Sequence, residues 1–540
     1  MTPLKIGILL DSENVPAWIY WIIEELLNSS FAEVSLVAYA KKPLEKIKKN
    51  KSKNTFFKLI SRIEYKFFYT RLDEFHTKKL NLPSNVKVLS IQPISKGISS
   101  YINNYDLDII KSNNLDVILR FGFGILKGEI LTLPKYGVWS FHHGDNRISR
   151  GRPSCFWELM NKEKKVGAIL QVLNEELDNG TVIDKVYSKV LTEGLWPTMN
   201  LLFRTAKQMP INKIKQLFQD RCFTDTKNEV VIYDRPLLKY PNNLETLQYI
   251  SDRFKHLYTS KINRNKRAYW YVIMSKNKNG SNPLGIPLYK CKPLLSDKSC
   301  FWADPFVRKK TNGWEILLEE YSFKEKKGKI RSIELDKKGD IVSNKIALEE
   351  LWHLSYPYII CKDDAWYMIP ESAGNKKLTI YKEDVASGNW IPIRNLFEGE
   401  SIYDCTIYFD NTTYWIFMNK EGVSNRHDQE LYIYYTTDFV LNDWTPHHSN
   451  PVKIDISSSR PAGSLFLLNG SLIRPSQDCS GGYGSKLILN EVIKLNSREY
   501  EERKYEEIEP KWEKKINAIH TVNMIDDFIV YDAKSKRQKL

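Results

Sequence analysis

The chain has 540 residues, 42% of them apolar and 12% aromatic, with a formal charge of +15. That much apolar sequence feeds about two to four separate cores and excludes a disordered chain. Its lysines are scattered among Asn and Glu rather than gathered in one arm, which argues against a nucleic-acid partner.

Seven cysteines without a CxxC pair or regular spacing argue against a disulfide framework and against a metal centre, and fit a reducing compartment. The first apolar stretch is only about five residues long before Asp11, too short for a secretory leader. No apolar run approaches the ~20 residues of a spanning helix. A cytoplasmic protein without a transmembrane segment is expected. The basic stretches Lys41 to Lys53 and Lys261 to Arg267 read as solvated surface or as peripheral contacts to anionic headgroups.

In chain order, Lys5 to Leu10 has a buried-strand pattern and Ala17 to Leu27 a helical one. Strands follow at Val34 to Ala38 and Val86 to Ile91, then a helix at Leu107 to Lys111 and a strand at Asp116 to Leu119. This βα alternation predicts an open, mostly parallel sheet with ligands at the carboxyl ends of its strands. No GxGxxG follows the first strand, which disfavours a nicotinamide cofactor. Asp11, Ser12, Glu13 and Asn14 end that strand, so Ser12 and Asn14 are candidate acceptor contacts, with helix capping the competing role.

Between residues 201 and 285 the pattern reads as a helical connector and a Lys/Asn-rich surface linker. Beyond it, short strand-like runs recur, among them Trp314 to Glu319, Trp366 to Ile369, Tyr414 to Met418, Leu431 to Tyr435 and Leu465 to Leu468. Tetrads beginning at Ala303, Ser355, Tyr403, Arg460 and Ala518 precede the groups at a period of roughly 50 to 60 residues, about that of a four-stranded blade. The expected architecture is therefore an α/β Rossmann-like domain over 1–200, the connector over 201–285, and an all-β five-bladed propeller over 286–540 whose tetrads line the channel.

The segment from Phe121 to Trp157 carries Gly122, Pro134, Gly137, His142 and Arg150-Gly151, and Leu177-Asp178-Asn179-Gly180 follows. In order and spacing it resembles the formyltransferase superfamily that uses N10-formyltetrahydrofolate, including the methionyl-tRNA and sugar N-formyltransferases. The resemblance covers roughly residues 1 to 200. It implies catalysis by His142 and Asp178, donor contacts along Gly122, Phe123, Gly124, Ile125 and Leu177, and an amine acceptor.

The chemistry suits those residue types. An amine attacking a formyl carbon must shed a proton, negative charge must be held on the formyl oxygen, and the leaving nitrogen must gain a proton. An imidazole oriented by a carboxylate can manage the proton steps. The sequence departs from the family where its Asn is Ser140, and where Gly144-Asp145-Asn146-Arg147 replaces Ser-Leu-Leu-Pro. Ser140 is then the third catalytic candidate, with His143 or a water sharing oxyanion stabilisation, while His143, Asp145 and Arg150 are candidates for recognising an unusual acceptor.

The second half resembles five-bladed propellers of the arabinanase and β-xylosidase type, especially a domain attached to plant transferases acting on inositolphosphorylceramide. Ala303 to Phe306, Met368 to Ser372 and Arg474 to Asp478 carry that likeness. In the hydrolases of this type, two Asp residues and a Glu acid do the work. Asp304 and Asp404 match the former, the fourth tetrad offers no acid, and Glu371 could substitute from the second blade. The three are read as glycan-binding residues, with Trp302, Trp352, His353, Tyr356 and Tyr403 as stacking faces or core.

The expected function is formyl transfer to an amino sugar of a surface-glycan precursor, with the propeller binding the glycan. A glycoside hydrolase or glycan-binding accessory with an inactive formyltransferase-like domain is the alternative.

Overall fold

The computed structural model describes residues 1–41, 54–145, 151–176, 179–222, 236–263, 266–276, 282–512 and 516–538. Two compact units divide the chain, Met1–Thr259 and Ser260–Leu540.

In the first unit, β1 (Leu4–Leu10), β2 (Ala32–Ala40), β3 (Lys87–Ile91), β4 (Val117–Arg120), β5 (Val138–His142), β6 (Lys165–Val172) and β7 (Thr181–Lys189) form one sheet. Its order is β7-β6-β5-β4-β1-β2-β3. The pairs from β3 to β5 are parallel, and β6 and β7 extend the sheet antiparallel. Strand order therefore reverses at the β1–β4 neighbours, the place where a doubly wound sheet opens a crevice beyond its carboxyl ends. Leu9 and Ile118 are fully buried between covering layers, as the continuous apolar runs of β1 and β4 require.

Helices α1 (Ala17–Leu27), α2 (Thr55–Phe68), α3 (Asn104–Lys111), α4 (Phe156–Met160), α5 (Leu195–Ala206), α6 (Met209–Asp220) and α7 (Asn243–Asn263) accompany the sheet. α1 matches the periodicity residue for residue and buries Trp18, Ile19, Ile22, Ile23 and Leu26. Neither Ser12 nor Asn14 caps it, because Pro16 holds the cap position.

The expected connector is not a separate element. Leu195, Leu202, Ala206, Met209 and Ile214 of α5 and α6 are buried in the first unit. Much of the stretch read as surface linker is a strand, Lys266–Lys276, paired antiparallel along its whole length with Phe528–Gln538. Its Tyr269, Trp270, Val272, Ile273 and Met274 are buried, an apolar run that the surrounding lysines mask in a composition reading.

The second unit is all-β. Five antiparallel sheets succeed one another, and the fifth joins Lys266–Lys276 and Lys292–Leu294 to strands from the C-terminal end. Contacts between inner strands run from sheet to sheet and return to the first. The Phe306 and Tyr356 rings meet at 4.8 Å, and Tyr356 Oη lies 2.9 Å from Thr406 Oγ1. Thr406 Oγ1 donates to the Gly463 carbonyl at 3.3 Å, and Ser464 N donates to Asn523 Oδ1 at 2.8 Å. Asn523 Nδ2 then donates to the Pro305 carbonyl at 2.8 Å, so the five blades close into a propeller.

Three tetrads share one distortion. Asp304, Tyr356 and Asp404 have φ of 51°, 43° and 45°, each inside a register shift between the first and second strands of its blade. A non-glycine residue in the left-handed region costs roughly 1 kcal/mol or more, so the repeated bulge aims these side chains at the expense of regular pairing.

Candidate functional site

The first unit has a cleft of about 500 Å³ beyond the carboxyl ends of β4 and β5. Ile125, Leu126 and Leu173 supply apolar wall, while Arg120, Ser140, His142, Gln171 and Asn174 bring polar groups to it. Ser140 and His142 alternate along β5, so both face the same side of the sheet. The residue between them, Phe141, packs its ring edge-on to Trp18 at 5.3 Å.

Arg120 ends β4 directly opposite Ser140. Its Nη1 donates to Ser140 Oγ at 2.7 Å and its Nη2 to the Gly124 carbonyl. Its Nε is buried without a hydrogen-bond partner. Among the described residues no carboxylate lies within ion-pair distance of this guanidinium. Burial pulls its pKa down, and the more distant Asp11 carboxylate partly restores it. A guanidinium has five N–H donors, so protein groups take two and leave a cationic donor set at the cleft. Sequence reasoning missed Arg120, because a lone Arg at a strand end says nothing until its neighbour across the sheet is known.

The loop after β4 explains its glycines. A Cβ on Gly122 would lie 2.4 Å from Asp11 Oδ1, and that oxygen accepts the Phe123 amide at 2.8 Å. Gly122 is thus the close-approach position that ties the ends of β1 and β4 together. Phe123 is buried in the core, so of the five expected donor contacts its side chain does not reach the cleft, whereas Ile125 does. Gly124 (φ +62°) contributes through its carbonyl to Arg120.

Gly151, from the Arg-Gly pair, has φ +146°, and a Cβ there would stand 2.1 Å from the Leu238 carbonyl oxygen. Leu238 in turn accepts the Arg152 amide at 3.2 Å. The segment from Leu237 to Tyr240 is laid against this glycine and becomes a wall of the cleft.

Asp178, Leu177 and Arg150 lie outside the described residues. On the chain, Asp178 is bracketed by Asn174 and Glu176, which line the cleft, and by Asn179, whose carbonyl accepts from Asn174 Nδ2 at 2.7 Å.

Three expected acceptor contacts have other duties. Ser12 Oγ donates to the Asn14 carbonyl at 2.8 Å and accepts the Asn14 amide at 3.2 Å, closing a local turn. Asp145 is 2% exposed and accepts the Tyr187 hydroxyl at 2.6 Å, packed against Gly167. His143 stacks on Phe203 with centroids 3.7 Å apart, and burial pushes its pKa down to about 3. The ring is neutral, and its Nε2 has no partner. Side chains alternate on a strand, so the second His of the pair turns into the aromatic layer while the first turns to the cleft.

In the second unit the tetrads converge. Asp404 accepts from Arg460 and, at 2.7 Å, from Gln477 Nε2, while its amide donates to Glu371 at 3.2 Å. Arg460 also lies 3.6 Å from Glu371. Asp304 accepts the Thr521 hydroxyl at 2.8 Å, and His520 Nδ1 pairs with Asp532. Burial pushes Asp304 up to about 6. Burial and neighbouring carboxylates push Glu319 and Glu371 well above the usual range. For Asp404 burial acts upward, but Arg460 and the hydrogen bonds outweigh it and hold its pKa low. Burial lowers the His520 pKa, but Asp532 and Asp304 more than reverse that.

Glu319, Arg460, Gln477, His520 and Asp532 thus complete a network of which sequence reasoning named Asp304, Glu371 and Asp404. Ligand atoms of Asp304, His520 and Asp532 lie within 4.8 Å of one another, a donor set able to hold a divalent cation where sequence reading expected no metal. Of the expected stacking faces, Trp302 and Tyr356 are core, whereas Tyr403 is half-buried and stacks on the exposed His427 at 4.7 Å. Arg460 also lies 4.9 Å beneath the Tyr483 ring, which is 40% exposed.

Comparison with known proteins separates the same two parts. Residues 269–525 match the family model of the N-terminal domain of glucosamine inositolphosphorylceramide transferase 1. That transferase from Oryza sativa subsp. japonica is 30% identical over 244 residues, 43% of this chain and 32% of the relative. The methionyl-tRNA formyltransferase of Clostridioides difficile is 37% identical over 112 residues, 20% of this chain and 36% of the relative. The chain therefore spans about a third of the length of the curated relatives it matches. A sugar N-formyltransferase structure from Shewanella aligns at a TM-score of 0.28 with 14% identity, over 46% of this chain and 87% of that one. The chain joins a formyltransferase-like α/β domain to a propeller similar to the N-terminal domain of glucosamine inositolphosphorylceramide transferases.

Proposed function

We propose that the protein transfers a formyl group from N10-formyltetrahydrofolate to the amine of an amino sugar in a surface-glycan precursor. The observation that carries this reading is His142 beside Arg120 and Ser140 at one cleft of a formyltransferase-like domain. A cleft of about 500 Å³ with apolar walls and a few convergent polar groups suits a flat, hydrogen-bonding pterin. When bound, the donor supplies an activated formyl carbon.

In this reading His142 takes the proton shed by the acceptor nitrogen and Asp178 orients the imidazole. Arg120 and Ser140 direct N–H and O–H donors toward the formyl oxygen, the task the family assigns to a carboxamide. A fixed guanidinium in a partly dehydrated cleft stabilises negative charge as it develops. Gln171 and Asn174 hold the donor's polar edge, and the Leu237 to Tyr240 wall limits water. Such a reaction belongs in the cytoplasm, where no membrane crossing is asked of the chain; among the described residues no helix is long and apolar enough to span a bilayer.

The propeller binds the glycan part of the acceptor. Arg460 neutralises Asp404 and approaches Glu371, which favours holding a polyhydroxylated ligand over cleaving it. Incubating the full chain with the folate donor and a panel of amino-sugar nucleotides and lipid-linked amino sugars tests the proposal. Formylated sugar and stoichiometric tetrahydrofolate are expected; an intact donor with every amine would refute it and leave the glycan-binding accessory.

A further inference from the structure

Helix α2 carries a surface that neither the cleft nor the propeller explains. Its outward side consists of two parallel rows at i, i+4, i+8 spacing. One row is Lys58, Arg62 and Lys66, all exposed. The other is Leu59, Ile63 and Phe67, exposed to 53%, 56% and 79%. The helix's one acid, Glu64, faces the other way, accepting the Tyr249 hydroxyl at 2.6 Å and the Trp196 amide at 3.0 Å. Among the described residues none of the three cations forms an ion pair. α2 is thus anchored by its inner face and presents three cations beside three large apolar side chains.

We propose that this face of α2 docks the protein on an anionic lipid surface. Basic side chains flanking a row of Leu, Ile and Phe match the headgroup region, where the apolar tips enter the acyl boundary and the cations meet anionic phosphates. The charge also selects against self-association. A two-fold contact through this face would set each copy's three cations against the other's, with no acid on either side to balance them. The chain enters α2 from residues 41–53, where seven lysines face one glutamate, so the sequence leading into the helix carries the same sign.

Co-sedimentation of the full chain with phosphatidylcholine vesicles containing about 30% phosphatidylglycerol tests this. A cation near an anionic surface contributes about fivefold to partitioning, so Lys58→Glu, Arg62→Glu and Lys66→Glu together should lower vesicle affinity by about a hundredfold or more. Ile63→Asp with Phe67→Asp should lower it about tenfold or more, and raised salt should weaken wild-type binding. All five positions are exposed, and far-ultraviolet circular dichroism checks that each variant remains folded. Binding equal on pure phosphatidylcholine, or undiminished in the charge-reversed variant, overturns the proposal. So does light scattering that shows a dimer broken by Ile63→Asp, since the face would then belong to a second copy.

Discussion

Arg120 Nη1 donates to Ser140 Oγ at 2.7 Å across two parallel strands, joining the end of β4 to the third-last residue of β5. In the proposed reading a small hydroxyl stands where the resemblance to the formyltransferases implies a carboxamide, with a guanidinium beside it. If the cation has taken over the charge-stabilising task, Arg120→Ala should lower kcat for formyl transfer by about 10²- to 10³-fold with little change in KM. Arg120→Ala combined with Ser140→Asn should recover part of the loss. A rise in KM alone would assign Arg120 to substrate binding instead.

His142 is expected to handle the proton of the attacking amine. His142→Gln should cost about 10²-fold or more in kcat and abolish the acidic limb of the kcat/KM profile, as loss of a general base does. Unchanged rates across pH would remove His142 from the chemistry.

His143→Phe should behave oppositely to His142→Gln. The ring already stacks on Phe203 and Phe141, and its Nε2 is shielded and unpaired. Replacing a buried unsatisfied polar atom by carbon should leave activity intact and hold or raise stability by about 1 kcal/mol, measured by urea unfolding. A loss of activity comparable to that of His142→Gln would return His143 to the site.

Gly151→Ala tests the cleft wall. The added methyl meets the Leu238 carbonyl and the backbone has φ +146°, so the segment from Leu237 to Tyr240 must withdraw. We expect a loss of about 2 kcal/mol or more and a raised KM for the folate donor. Stability and KM both at wild-type values would contradict the close approach.

The propeller axis predicts a pH dependence with a definite sign. In the fold Asp304 holds its proton to about pH 6, while the unfolded chain releases it near 3.8. Between those values the folded form binds more protons, so stability falls as pH rises. Glu319 and Glu371 act in the same direction. The stabilisation from His520 is fully present below its unfolded value of 6.5 and is lost as pH rises through its raised folded value. Asp404 works oppositely, losing its contribution as pH falls below 3.8. Differential scanning calorimetry should show the propeller Tm declining from about pH 4 upward, and Asp304→Asn should flatten that decline up to about pH 6.

Much of the architecture was legible because it rests on local periodicity. α1 occupies the residues its apolar spacing marks, β1 and β2 contain the runs read as strands, and β3 and β4 each begin one residue later than the run read there. The five tetrads were legible for the same reason, since a blade repeats its inner strand at a nearly constant interval. Lys266–Lys276 was missed because its partner, Phe528–Gln538, lies more than 250 residues away and its lysines flank rather than interrupt the apolar centre.

The order of chemical groups along the chain thus follows from sequence alone: an imidazole after a strand, an Arg-Gly, an Asp-Asn-Gly turn, and acids at a blade's period. Which of two adjacent histidines reaches the cleft was decided by the pleat of β5, and Arg120 was brought to Ser140 by a strand pairing across 20 residues. Arg460 met Asp404 only because the blades close on an axis. Spacing is written in covalent bonds, but partnership depends on which surfaces pack, and packing is settled by the whole chain at once.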